Sequence, residues 1–164
     1  LGIDFKALEE EWISALRANP KTKLFLVVGS KSGGTDETMI NFQMGLKTMI
    51  RGRSGQIAEG LIAKLFDGKE LSQKKLKDLK LSEEEKETLK VIFSNLVIVS
   101  GYNGSVSRLA KLNKDGFLGE LYEKEEDKVI FIPMLDNLGG RFQGISPNAF
   151  VYNALLGLDI RKML

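Results

Sequence analysis

The chain contains no cysteine. Disulfides and thiolate metal sites are therefore excluded, and a reducing cytoplasmic compartment fits that usage. Histidine is also absent, which removes the commonest general acid/base and the commonest metal ligand. No apolar run reaches the length of a membrane span, and no signal-peptide pattern opens the sequence. Nor does one sign of charge dominate. With 24 basic and 22 acidic residues the net charge is +2, so neither nucleic acid nor an anionic membrane is attracted in bulk. Any anion has to be held locally.

What remains is an ordinary globular balance. The 164 residues, 43% apolar and 28% charged, suffice for a single domain (1–164) with a substantial core. Leu1 stands where an initiator Met would be, and the opening residues read as mid-chain sequence. The expectation is a piece of a larger protein.

In "DFKALEEEWISALRAN" the residues Phe5, Leu8, Trp12, Ile13 and Leu16 fall on one helical face. Asp4 is placed to cap the start, and Asn19-Pro20 ends the helix. "KLFLVVG" is short and almost wholly apolar, the pattern of a strand buried inside a parallel sheet rather than at its edge. The period then turns helical, with Met39, Phe42, Leu46 and Met49 in phase and Asp36 and Glu37 in the first turn, where the helix dipole favours negative charge. The segment 52–90 reads as a charged helical insertion, a solvated pair of helices over one sheet face. Ser82 and Glu85 in "LSEEE" form a capping box there. "NLVIVSG" and "KVIFIPML" are two further strands. "YNGSVSRLAKLN" reads as a turn and helix. "SPNAFVYNALLG" is a helix with Ser146 as cap and Pro147 first, and "LDIRKML" a last apolar turn. Strands and helices alternate, which predicts an α/β fold with a mainly parallel sheet.

Between the first strand and its helix lies "GSKSGGTDET". Ligands of open α/β sheets collect at such places, at the carboxyl ends of strands and beside helix N-termini. Gly33 and Gly34 allow close backbone approach, and Ser30, Ser32 and Thr35 supply uncharged donors. Asp36 and Glu37 would repel a phosphate unless they face solvent. A plain tight turn accounts for the loop equally well on composition alone. The order of a nucleotide P-loop is absent, because Lys31 precedes the glycines, and no G-x-G-x-x-G follows a strand.

Two stretches carry a resemblance. "SKSGGTDETMINF" resembles the phosphosugar-binding loop of sugar-isomerase (SIS) domains. "DNLGGRFQGISPNAFVYNALLGLDIRKML" resembles the glycine–glycine–arginine signature of the glucose-6-phosphate isomerase family, with its proline-started helix. The resemblance covers 23–49 and 95–164 and implies a three-layer αβα sandwich of the SIS type, akin to flavodoxin and Rossmann folds. It implies reversible interconversion of glucose 6-phosphate and fructose 6-phosphate in glycolysis and gluconeogenesis, no metal, no cofactor, a cytoplasmic location and a homodimeric parent. By motif, Ser30, Lys31, Ser32 and Thr35 bind the sugar phosphate, Gly140 approaches the sugar, and Arg141 stabilises the enediol(ate).

This sequence departs from the family at Gln143, where serine is frequent, and lacks its early "GIGGS" loop. The general base and the ring-opening histidine implied by the family fall outside the matched segments, so the chain by itself is expected to be inactive. The competing readings are a non-catalytic SIS module that senses a phosphosugar, and a domain without a ligand.

Overall fold

The computed structural model describes residues 5–19, 21–30, 36–67, 70–71, 76–101, 129–134, 147–159 and 161. Over these the chain forms α1 (Phe5–Ala18), β1 (Leu26–Ser30), α2 (Asp36–Ser54), α3 (Ala58–Leu65), β2 (Phe66–Asp67), β3 (Glu70–Leu71), α4 (Glu83–Ser94), β4 (Leu96–Ser100), β5 (Ile130–Pro133) and α5 (Pro147–Leu155). Single 3-10 turns occupy Gly55–Ile57 and Leu76–Leu79.

β1, β4 and β5 form a three-stranded parallel sheet in the order β1-β4-β5. Val28 pairs with Ile98 and Ser30 with Ser100, while Ser100 pairs with Pro133 on the other side. The fold is thus of the α/β kind. All five residues of β4 are buried, whereas only Val28 of β1 is. This corrects the expectation for "KLFLVVG". Within the described sheet β1 is an outer strand, and Phe25 just before it is half exposed. The interior position belongs to β4, which has a partner strand on each side.

Alternation along β4 divides the core. Leu96 and Ile98 face a large cluster built with Phe42, Leu46, Met49 and Ile50 of α2, Leu61 and Leu65 of α3, and Leu89, Ile92 and Phe93 of α4. Val97 and Val99 face a smaller cluster with Met134, Val27, Ile132 and Val151 of α5. The charged segment is accordingly amphipathic, since its two α-helices supply much of the larger cluster. Its middle differs from the predicted helical pair. β2 and β3 pair as a two-residue antiparallel hairpin, and Leu76–Leu79 takes only a 3-10 turn.

Helix ends follow local chemistry. α1 stops at Ala18, before Asn19-Pro20, and the Asn19 side chain accepts from the Lys21 N–H at 3.0 Å. α5 begins at Pro147, as expected from its missing N–H. It closes at Gly157, with φ of +78°. There the Gly157 N–H reaches the Ala154 carbonyl and the Leu158 N–H the Asn153 carbonyl, both at 2.9 Å. This paired closure requires the left-handed conformation that glycine adopts without strain. Leu155 and Leu156 at the end of α5 are exposed, as is Leu158 of the predicted apolar turn, whose Ile160, Met163 and Leu164 lie outside the described residues. Trp12 likewise lies at the surface, while Leu16 of α1 is buried. α1 meets α2 through Leu16 against Gly52 and through Glu9, whose carboxylate accepts from Arg51 at 2.9 Å and from the Thr48 hydroxyl at 3.1 Å. Asp4, Ser146 and "YNGSVSRLAKLN" lie outside the described residues.

The capping box is present in full. The Ser82 hydroxyl accepts from the Glu85 N–H at 3.2 Å, and the Glu85 carboxylate accepts from the Ser82 N–H at 2.7 Å. The same carboxylate lies 2.7 Å from Lys64 Nζ through both oxygens, tying α3 to α4. Burial pushes the Glu85 carboxyl up. The Lys64 ammonium and the donors of Ser82 outweigh it and hold the carboxyl below its usual range.

A depressed folded value stabilises the protein above the unfolded carboxyl range, near pH ~4.3, and the contribution is lost as pH falls through the folded value. Glu85→Gln should therefore cost about 1 kcal/mol at pH 7, a modest figure because water reaches Lys64. It should also make the loss of stability between pH 6 and pH 3 shallower. Urea midpoints across that range check it, and parallel acid limbs for the two proteins would contradict it.

Candidate functional site at the carboxyl edge of the sheet

Parallel pairing puts the carboxyl ends of β1, β4 and β5 at one edge. In register these ends are Ser30, Ser100 and Pro133. Adjacent strands stand about 4.8 Å apart, so β1 and β5 are separated by about 10 Å, the scale of one small ligand. The chain leaves β1 for residues 31–35 and leaves β5 for residues 135–146 from this same edge.

Gly45 shows where α2 begins relative to it. A methyl group added at Gly45 would stand 2.7 Å from a Leu26 methyl, so the middle of α2 lies against the start of β1. Nine helical residues back from Gly45 to Asp36 span about 13.5 Å. Four strand residues forward from Leu26 to Ser30 span about 13 Å. The first turn of α2 is therefore level with Ser30. Its N–H groups have no intrahelical partners and carry the positive end of the helix dipole. Asp36 and Glu37 are exposed, as an anion seat demands of them.

Ser30 is partly buried at the mouth of β1. Lys31, Ser32, Thr35, Gly140 and Arg141 lie outside the described residues, as does the second loop with Asn103, Ser105 and Ser107. The described edge contains a group that the sequence reading passed over. Ser100 is fully buried, and its hydroxyl has no hydrogen-bond partner. The signal was a lone hydroxyl closing the wholly apolar run "LVIVS".

A concavity lies elsewhere. An open groove of about 750 Å³ runs between α1, the end of α2 and the start of α3, lined by Glu10, Ile13, Arg17, Arg51, Ala58 and Glu59 among others. Arg51 is some 15 residues, or about 22 Å of helix, from Asp36. It is already held by Glu9 at 2.9 Å and Glu59 at 2.8 Å. Mixed and mutually paired charges give this groove no preference for an anion, so size alone does not make it the site. Among the described residues no group of three acidic side chains could hold a metal ion, and no helix is long and apolar enough to cross a membrane.

Comparisons of the chain with models of protein families, with curated proteins and with solved structures return no match. The functional reading thus stands on the geometry of this edge and on the sequence motifs that border it.

Proposed function

We propose that this chain is the phosphosugar-binding part of an aldose–ketose isomerase of the glucose-6-phosphate isomerase type, built as a three-layer αβα SIS domain. One observation carries the reading. The loop with the predicted phosphate-binding residues and the loop with "GGR" leave the same edge of one parallel sheet, from the two strands that flank β4, and the N-terminus of α2 is level with that edge. The packing of α2, α3 and α4 on one cluster and of α5 on the other supports the layered arrangement.

In this reading Ser30, Ser32 and Thr35 give hydroxyl donors to the phosphate, and Lys31 and the backbone N–H groups complete the seat. Uncharged donors suit a chain whose net charge is only +2. Gly140 lets the backbone approach the sugar. A base removes the proton from C2, the electrons pass into the C1 carbonyl, and the guanidinium of Arg141 faces the oxyanion that forms. The proton on the C2 hydroxyl passes to O1, and the proton taken from C2 is returned by the base to C1, which completes the ketose. A fixed cation beside a developing oxyanion lowers the barrier because it meets charge that the ground state lacks. No imidazole can serve as base or ring opener from within this chain. The reading includes a homodimeric, cytoplasmic parent enzyme that uses no cofactor.

Thermal denaturation tests it. Ligand at a hundredfold excess over its Kd stabilises the folded state by about 2.7 kcal/mol, a rise of several degrees for a chain of this size. Glucose 6-phosphate and inorganic phosphate should both raise Tm, and glucose should not. No response to either phosphate, or an equal response to glucose, would overturn the assignment.

A further inference from the structure

Among the described residues two hydroxyls are buried without a hydrogen-bond partner, those of Ser54 and Ser100. Ser54 ends α2, far from the carboxyl edge. Ser100 ends the central strand at that edge and is 0% exposed. Its carbonyl accepts from the Met134 N–H at 2.8 Å, and the residue lies in the β4–β5 ladder. The unmet need is that of the side chain. Buried polar atoms are nearly always paired, and an orphan costs stability unless a ligand or water completes it.

Its direction follows from alternation. Leu96 and Ile98 belong to the cluster beneath α2, so Ser100, two residues on, stands on that same face. Ser30 is its register partner in β1, and the first turn of α2 is level with Ser30. The orphan hydroxyl thus shares its face and its height with the first turn of a 19-residue helix, the positive end of its dipole. Gly101 follows it and has no side chain to cover it.

We infer that the Ser100 hydroxyl is the innermost donor of the anion seat and binds one unesterified oxygen of a phosphate monoester held between β4 and the start of α2. The inference rests on the phosphosugar reading and adds to it a residue from the central strand. A tetrahedral dianion accepts hydrogen bonds and offers none, which fits a fully buried neutral donor. The deepest position suits a terminal oxygen, leaving the ester oxygen and the sugar to point outward.

Inorganic phosphate is the probe, with the full chain and four variants: Ser100→Ala, Ser100→Cys, Ser54→Ala and the double variant Ser32→Ala/Thr35→Ala. Ser100→Ala should lose about tenfold in phosphate affinity, as expected for one hydrogen bond to a charged group, while its Tm without phosphate stays the same or rises. Ser100→Cys keeps the volume with a weaker donor and should also lose affinity, which covers the case of an alanine variant that does not fold. Ser54→Ala should bind phosphate as the parent does. Parent-like affinity in both Ser100 variants, with weakened binding in the double variant, would sink this inference alone. A Tm that falls without phosphate in Ser100→Ala while affinity is unchanged would assign the hydroxyl to a buried water instead, and would also overturn it. A parent chain that binds no phosphate would overturn the functional reading beneath it.

Discussion

Replacing Ser32 and Thr35 together by alanine should weaken glucose 6-phosphate binding by at least about 100-fold. Each hydroxyl donates to a charged oxygen in the proposed seat, and such bonds are worth about 1.5–3 kcal/mol each. Losing two gives at least about 3 kcal/mol, and every ~1.4 kcal/mol is tenfold in affinity. Water cannot restore them cheaply, because the seat's value lies in donors fixed before the ligand arrives. The net charge does not change, so a general electrostatic attraction would be untouched. Titration calorimetry with glucose 6-phosphate reads the effect, and the Tm of the free protein serves as the control for folding. An unaltered Kd would remove the loop from the site.

Phe42→Ala should cost about 3–5 kcal/mol of stability, the range for truncating a fully buried aromatic ring. Phe42 is 2% exposed and is the first buried residue of α2, which begins six residues earlier at Asp36. It fixes the helix over Val28 and Ile98 in the larger cluster. Met39, only partly buried, cannot take over that anchoring. The cavity would loosen the end of α2 that borders the seat, so phosphate affinity should fall together with stability. Against a typical folding free energy of 5–15 kcal/mol, such a loss is large. Urea unfolding measures it, and a loss below about 1 kcal/mol would contradict the packing described.

Where one local cause dominated, the sequence was sufficient. The in-phase positions Phe42, Leu46 and Met49 are buried in α2, and Ser82 and Glu85 close a complete capping box. Pro147 starts α5, and three apolar runs are three parallel strands. Features decided by distant partners were not legible. "KLFLVVG" and "NLVIVSG" look alike, yet β4 has a neighbour on both sides and β1 has one in the described sheet. Trp12 has the phase of a core residue yet is exposed, although Glu9 and Leu16 on either side of it meet α2. The pairing of Phe66–Asp67 with Glu70–Leu71 arises inside a lysine-rich stretch whose composition suggests a helix.

The site divides in the same way. The proposed loop stands out as hydroxyls and glycines after an apolar run, because a βα junction has a local signature, but residues 31–35 lie outside the described residues. That Asp36 and Glu37 must turn outward followed from charge alone, and both are exposed. Ser100 was hidden, since its meaning comes from its register opposite Ser30 and from the helix lying over that face. A single serine at a strand end has many bland explanations until its hydroxyl is found without a partner.

The central claim is that one phosphosugar is met at once by the loop after β1 and by the loop after β5. Backbone amide shifts during a glucose 6-phosphate titration test it most directly. Residues 30–38 and residues 139–141 should move together with a single common Kd, while inorganic phosphate should move the first group and leave the second still. A silent 30–38 segment, or two segments reporting different dissociation constants, would contradict the account.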